Sequence, residues 1–106
     1  MRPTAATVTV DRDVDPPVVR VSGAVDEMGA EQMRIRLLEA SHGGTGRVEL
    51  DLTAVTLFSS AAVRVVLAMA RIAGEEGWRL VVHAPEGGVT RHILQISGLP
   101  GLVDLP

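Results

Sequence analysis

From Val18 onward the chain alternates strand-patterned with helix-patterned segments, and that alternation restricts its fold more than any other feature of the sequence. Residues 18–22 (VVRVS) read as a strand ended by Gly23, and Ala30, Met33, Leu37 and Ala40 then recur at helical spacing within residues 28–40. The run 42–46 (HGGTG) stops that helix, and residues 48–52 (VELDL) give a strand with Val48, Leu50 and Leu52 on one side. Residues 61–73 follow as a largely buried helix with Arg64 and Arg71 on one narrow wet stripe. Residues 79–84 (RLVVHA) then read as a strand, and Val89, Ile93 and Ile96 mark a third helix closed by Gly98 and Pro100. Strands separated by helices need crossover connections, so this order implies an α/β fold with a mostly parallel sheet.

Ahead of the alternation, residues 7–12 (TVTVDR) alternate apolar with polar side chains, and Asp15, Pro16 and Pro17 form a turn before the next strand. So short a connection makes the first two strands antiparallel neighbours, which gives the sheet an antiparallel edge. Four strands and three helices are counted this way, and the tail 102–105 packs as a further turn or strand, giving four to five strands and three to four helices. A chain of 106 residues has room for one core, so residues 1–106 are expected to form one domain.

Composition removes several function classes. Without cysteine the chain has no disulfide, thiolate metal site or catalytic thiol. Its ten basic residues are all arginine, scattered along a chain of formal net charge −3, and its only aromatic residues are Phe58 and Trp78. Neither a basic footprint nor a base-stacking platform is present, so no nucleic-acid partner is expected. Arg64 and Arg71 break the longest apolar stretches well short of a membrane span, and residues 1–6 lack the order of a signal peptide, so no membrane insertion and a cytoplasmic location are expected.

The stretch 50–67 (LDLTAVTLFSSAAVRVVL) carries the chemistry worth weighing: a buried strand leads through a short loop into a helix opened by two hydroxyl residues. Ser59 and Ser60 are well placed to cap that helix by satisfying its orphan backbone donors. Capping is the commoner role of a serine there; the competing reading is a phosphorylation switch, because the positive end of the helix favours the added phosphate, which brings about −1.5 to −2 charges at pH 7. Asp26 is read as an N-cap of the first helix, in a loop at the same end of the sheet as the serines. Phe58 is either an exposed anchor for a partner or a plug in the core, the commoner place for a lone phenylalanine.

At this stretch the sequence resembles the STAS domain family, which includes bacterial anti-sigma factor antagonists. The family pattern runs from a strand ending in LDL to an aspartate or serine, the phosphoacceptor serine, a small residue, glycine, leucine and an apolar helix. On this chain Ser59 falls at the aspartate position, Ser60 at the phosphoacceptor, Ala61 at the small residue, Ala62 at the glycine and Val63 at the leucine. Residues 23–26 (GAVD) resemble the family's turn before its first helix, and residues 84–102 (APEGGVTRHILQISGLPGL) its third helix and closing motif. The chain departs from the pattern where Ser59 replaces an aspartate and where Ala62 adds a methyl group.

The resemblance implies a STAS, anti-sigma antagonist-like fold and a partner-switching cycle. The unphosphorylated protein binds an anti-sigma factor of the serine-kinase type and frees a sigma factor; phosphorylation of Ser60, with Ser59 the lesser candidate, ends binding, and a serine phosphatase resets it. Asp26, Phe58, Ser59, Ser60, Ala61, Ala62 and Arg64 are then the partner-binding candidates. No cofactor is expected, since ATP belongs to the partner kinase. An alternative use of the same fold is as a docking subunit of a transporter or signalling complex without a phosphorylation cycle. No enzyme activity is expected: SSAA lacks the GxSxG elbow, and His42, His83 and His92 are irregularly spaced, with no motif pairing them to a serine.

Overall fold

The computed structural model describes residues 5–41, 46–96 and 105–106. Seven elements lie there in the order β1 (Thr7–Asp11), β2 (Val18–Val25), α1 (Glu27–Ser41), β3 (Arg47–Phe58), α2 (Ser60–Glu76), β4 (Arg79–His83) and α3 (Val89–Ile96). The four strands form one sheet in sequence order. β1 runs antiparallel to β2 from Thr7↔Ser22 to Asp11↔Val18, and the pairs β2–β3 and β3–β4 are parallel. The expected mostly parallel sheet with an antiparallel edge is therefore present, with three helices; residues 102–104 of the expected final turn or strand lie outside the described residues.

Side-chain alternation explains why one face of this sheet is dry. Val19, Val21, Val48, Leu50, Leu52, Leu80 and Val82 are buried in one cluster with Met33 and Leu37 of α1 and Val66 and Met69 of α2. The helical positions Ala30, Met33, Leu37 and Ala40 are the buried ones in α1, together with Gly29. In α2 the exposed residues Ser60, Arg64, Ala68, Arg71 and Glu75 follow the helical repeat along one line, which is the wet stripe expected from the two arginines. Gly29 is set by close approach: a Cβ there would lie 2.9 Å from the Cβ of Ala6, so α1 seats against the start of the chain only with hydrogen at that position.

The structure corrects several boundaries. Gly23 does not end β2; it takes φ +83° within the strand, where the β2–β3 register shifts, and pairing resumes through Val25↔Phe58. β3 runs twelve residues, well beyond 48–52. Its second half escapes an alternation pattern because Thr53, Ala54, Thr56 and Leu57 are all exposed. α2 passes through Gly74 and stops at Gly77, which adopts φ +82° and donates its N–H to the carbonyl of Ala73. α3 buries Thr90 and Leu94 while Val89 and Ile96 are exposed. Arg91 fixes that rotation by donating to the carbonyls of Ala84, Leu105 and Pro106. The expected stops at 42–45 and at Gly98 and Pro100 lie outside the described residues.

Candidate functional site

The parallel strands β2 and β3 end side by side, and each passes directly into a helix through a residue that caps it. At the end of β2, Asp26 Oδ1 accepts a hydrogen bond from the Gly29 amide at 2.9 Å while its own carbonyl accepts from Ala30. At the end of β3, Ser59 Oγ accepts from the Ala62 amide at 3.2 Å and its carbonyl accepts from Val63. The capping expected of Asp26 and of Ser59 is therefore observed, while Ser60, expected to share in it, is the first residue of α2 and caps nothing. The two corners are tied together because the Ser59 amide donates to the Val25 carbonyl at 3.0 Å, which sets Asp26 beside the serine pair.

The two serines differ in what is left free. The Ser59 side chain is half-buried and committed to the cap. Ser60 is the first residue of α2 and exposed, and among the described residues its hydroxyl has no hydrogen-bond partner. Ala61 is half-buried against the core. Arg64, one turn further along α2, is exposed. Two of the partner-binding candidates lie beneath this surface: Phe58 is only 8% exposed and fills the core, and Ala62 is fully buried. Phe58 offers no exposed anchor, because it follows the strand's inward face; both residues shape the corner from below.

Sequence reasoning missed two apolar residues at the same end of the sheet. Met28, in the first turn of α1, is 73% exposed, and Leu57, next to Phe58 on β3, is 60% exposed. Both fall outside the apolar spacing that marks the core, which was the available signal. Asp26, Glu27, Ser60 and Arg64, which lie at the ends of the same two strands or in the helices they lead into, are exposed as well. Exposed apolar side chains set among charged and hydroxyl groups are what a protein-docking surface presents.

The remaining charged cluster lies away from this corner, on the sheet face opposite α1 and α2. Thr9, Arg20, Asp51 and His83 are register neighbours in one row across all four strands. His83 Nε2 lies 2.8 Å from Glu49 Oε1, and Arg20 lies 3.5 Å from Asp11. Partial burial of the Asp51 carboxyl works to raise its pKa. Hydrogen bonds from the Thr53 hydroxyl and amide, with the charges of His83 and Arg20, outweigh that and hold it below the usual carboxylate value. Among the described residues no group of three or more histidine or acidic side chains is arranged to hold a metal ion, and no helix is long and apolar enough to cross a membrane. His83 is half-buried in β4 and paired with Glu49, His92 is exposed on α3, and among the described residues neither is hydrogen-bonded to Ser59 or Ser60.

A family model described as Mlab, STAS domain, matches residues 8–104. An anti-sigma factor antagonist from Mycobacterium paratuberculosis superposes with a TM-score of 0.80 at 27% identity, covering 94% of this chain and 84% of that one. The Bacillus cell fate determinant SpoIIAA in its phosphorylated form gives a TM-score of 0.72 at 20% identity, covering 94% of this chain and 91% of that one. SpoIIAA in its unphosphorylated form gives 0.73 at 18% identity, covering 94% and 87%.

Proposed function

The chain belongs to the STAS domain family, and from that premise we propose that it is an anti-sigma factor antagonist: a binding protein, with no reaction of its own, that captures a serine-kinase anti-sigma factor and is released by phosphorylation of Ser60. The observation that carries this reading is the division of labour between the two serines. Ser59 holds the helix start, so Ser60 is left with a free, exposed hydroxyl at the same corner. The structural likeness to an anti-sigma factor antagonist at 27% identity supports the partner class.

The unphosphorylated surface docks through Met28 and Leu57, with Asp26, Arg64 and the Ser60 hydroxyl around them. In the switching step the Ser60 Oγ–P bond forms as the bond from the γ-phosphorus to the β,γ-bridging oxygen of ATP breaks. ADP leaves, and the hydroxyl proton passes to a base of the kinase. The new phosphate carries about −1.5 to −2 charges, and its desolvation and repulsion from acidic groups oppose docking. A serine phosphatase hydrolyses the ester to restore the hydroxyl and release inorganic phosphate. The cycle runs in the cytoplasm, and the domain needs no cofactor of its own.

The test uses wild-type protein and Ser60→Asp as parallel baits in lysate of the source organism, with mass spectrometry of the captured proteins and of residues 59–60. Retention of an ATPase-fold anti-sigma factor by wild type and its loss by Ser60→Asp support the cycle. Equal capture of one partner by both baits overturns it in favour of a docking module whose serines serve only the helix.

A further inference from the structure

We propose that Arg64 is the internal receptor of the Ser60 phosphate, so that phosphorylation both adds negative charge to the docking surface and withdraws the surface's one guanidinium from it. This inference rests on the reading of Ser60 as the acceptor. Its basis is the spacing and the charge balance of α2. Ser60 and Arg64 are four residues apart on the exposed stripe of the helix, the separation at which side chains lie next to one another one turn apart.

Arg64 is also uncommitted. Arginines of the neighbouring elements have acidic partners, Arg34 with Glu31, Arg36 with Glu39 and Arg20 with Asp11. Arg64 has no ion pair or hydrogen bond among the described residues. α2 explains this, since it has no acidic residue before Glu75, and the positions three and four residues from Arg64 are Ser60, Ala61, Leu67 and Ala68. Asp26 follows Val25, whose carbonyl accepts from the Ser59 amide, so a carboxylate and not a second cation belongs to the neighbouring corner. Arg64 is therefore the cation that a dianion on Ser60 meets along α2. A planar guanidinium can take two phosphate oxygens at once. Arg71 lies eleven residues from Ser60, about 16 Å along the helix axis, and is out of reach.

The two states then differ by more than the charge of the modification. Before phosphorylation Arg64 is a free cation on the docking surface, open to a carboxylate of the partner. Afterwards it is paired within its own chain, and a partner carboxylate that had used it is left without a counter-charge.

The experiment installs phosphoserine at position 60 by site-specific incorporation, so no kinase or partner is needed. Four phosphorylated proteins are titrated by ³¹P NMR at low ionic strength: the parent, Arg64→Gln, Arg64→Lys and Arg71→Gln. The positive end of α2 acts equally on all four and drops out of the comparison. The expected result is a second phosphate pKa lower by about half a unit in the parent than in Arg64→Gln, with Arg71→Gln matching the parent and Arg64→Lys keeping most of the shift. A parent and Arg64→Gln that titrate together overturn the proposal, as does an equal effect from Arg71→Gln. Circular dichroism of the same samples checks that each is folded. Absence of Ser60 phosphopeptide from cells would strike the partner-switching reading and leave this measurement standing on its own.

Discussion

The amide of Ser59 donates to the carbonyl of Val25 across 3.0 Å, so the helix that begins with Ser60 is fastened by backbone to the strand that leads into Asp26. The bond needs no particular side chain at either position. It ties the two corners together, and the side chains there divide into those that hold a helix start and those left without a partner in the fold.

That division predicts opposite outcomes for the two serines. Ser59→Ala removes the oxygen that accepts from Ala62 and should lower unfolding free energy by about 1 kcal/mol in urea titrations. Ser60→Ala removes an exposed hydroxyl without a partner and should stay within about 0.5 kcal/mol of wild type. Loss of stability from Ser60→Ala equal to that from Ser59→Ala would show that the cap is shared.

Met28 and Leu57 should matter to binding and not to folding. Met28→Ala and Leu57→Ala each remove an exposed side chain, so thermal midpoints should barely move. If both are central contacts, each should weaken capture of the partner retained by wild type by roughly tenfold, the effect of losing a well-buried interface anchor. Unchanged affinity in both variants would move the docking surface elsewhere.

Gly29 should resist even the smallest substitution. An alanine there brings its methyl 2.9 Å from the Cβ of Ala6, and the start of the chain must shift. Gly29→Ala is expected to cost about 1–3 kcal/mol, as overpacking of a close contact does. Ala6→Gly in the same chain should recover part of it, and additive effects in that double-mutant cycle would rule out the contact as the cause.

Asp51 gives the sheet an acid-side pH dependence. Its carboxyl has a folded-state pKa below its unfolded one, so it contributes stability that is fully present above the unfolded value near 4 and is lost as pH falls through the folded value. Unfolding followed from pH 7 to pH 2 should therefore fall less steeply below about pH 4 in Asp51→Asn than in wild type. Identical slopes would remove Asp51 from that account.

The layered fold was legible in the sequence because the apolar residues of α1 and of the first half of β3 obey the helical and strand periods wherever they face the core. Legibility failed where that constraint lapses. Residues 53–57 lie in a strand whose side chains are mostly exposed, so no alternation marks it, and Gly23 breaks a pattern without breaking the strand. In the candidate site, capping chemistry is local and showed itself in Asp26 and Ser59. Leu57 and Met28 did not, since an exposed apolar residue is defined by what fails to cover it. The Glu49–His83 pair joins residues 34 apart and depends on the β3–β4 register, which one chain read alone does not disclose.

The row of Thr9, Arg20, Asp51 and His83 across the sheet face opposite α1 and α2 has a consequence for the chain's behaviour in a crowd. A sheet face made wholly of valines and isoleucines would stack on the same face of another copy and seed aggregates. Here any such stacking would have to strip water from a guanidinium and several carboxylates, at a cost close packing does not return. The helices keep one side of the sheet dry, and charge keeps the other from adhering to its own kind.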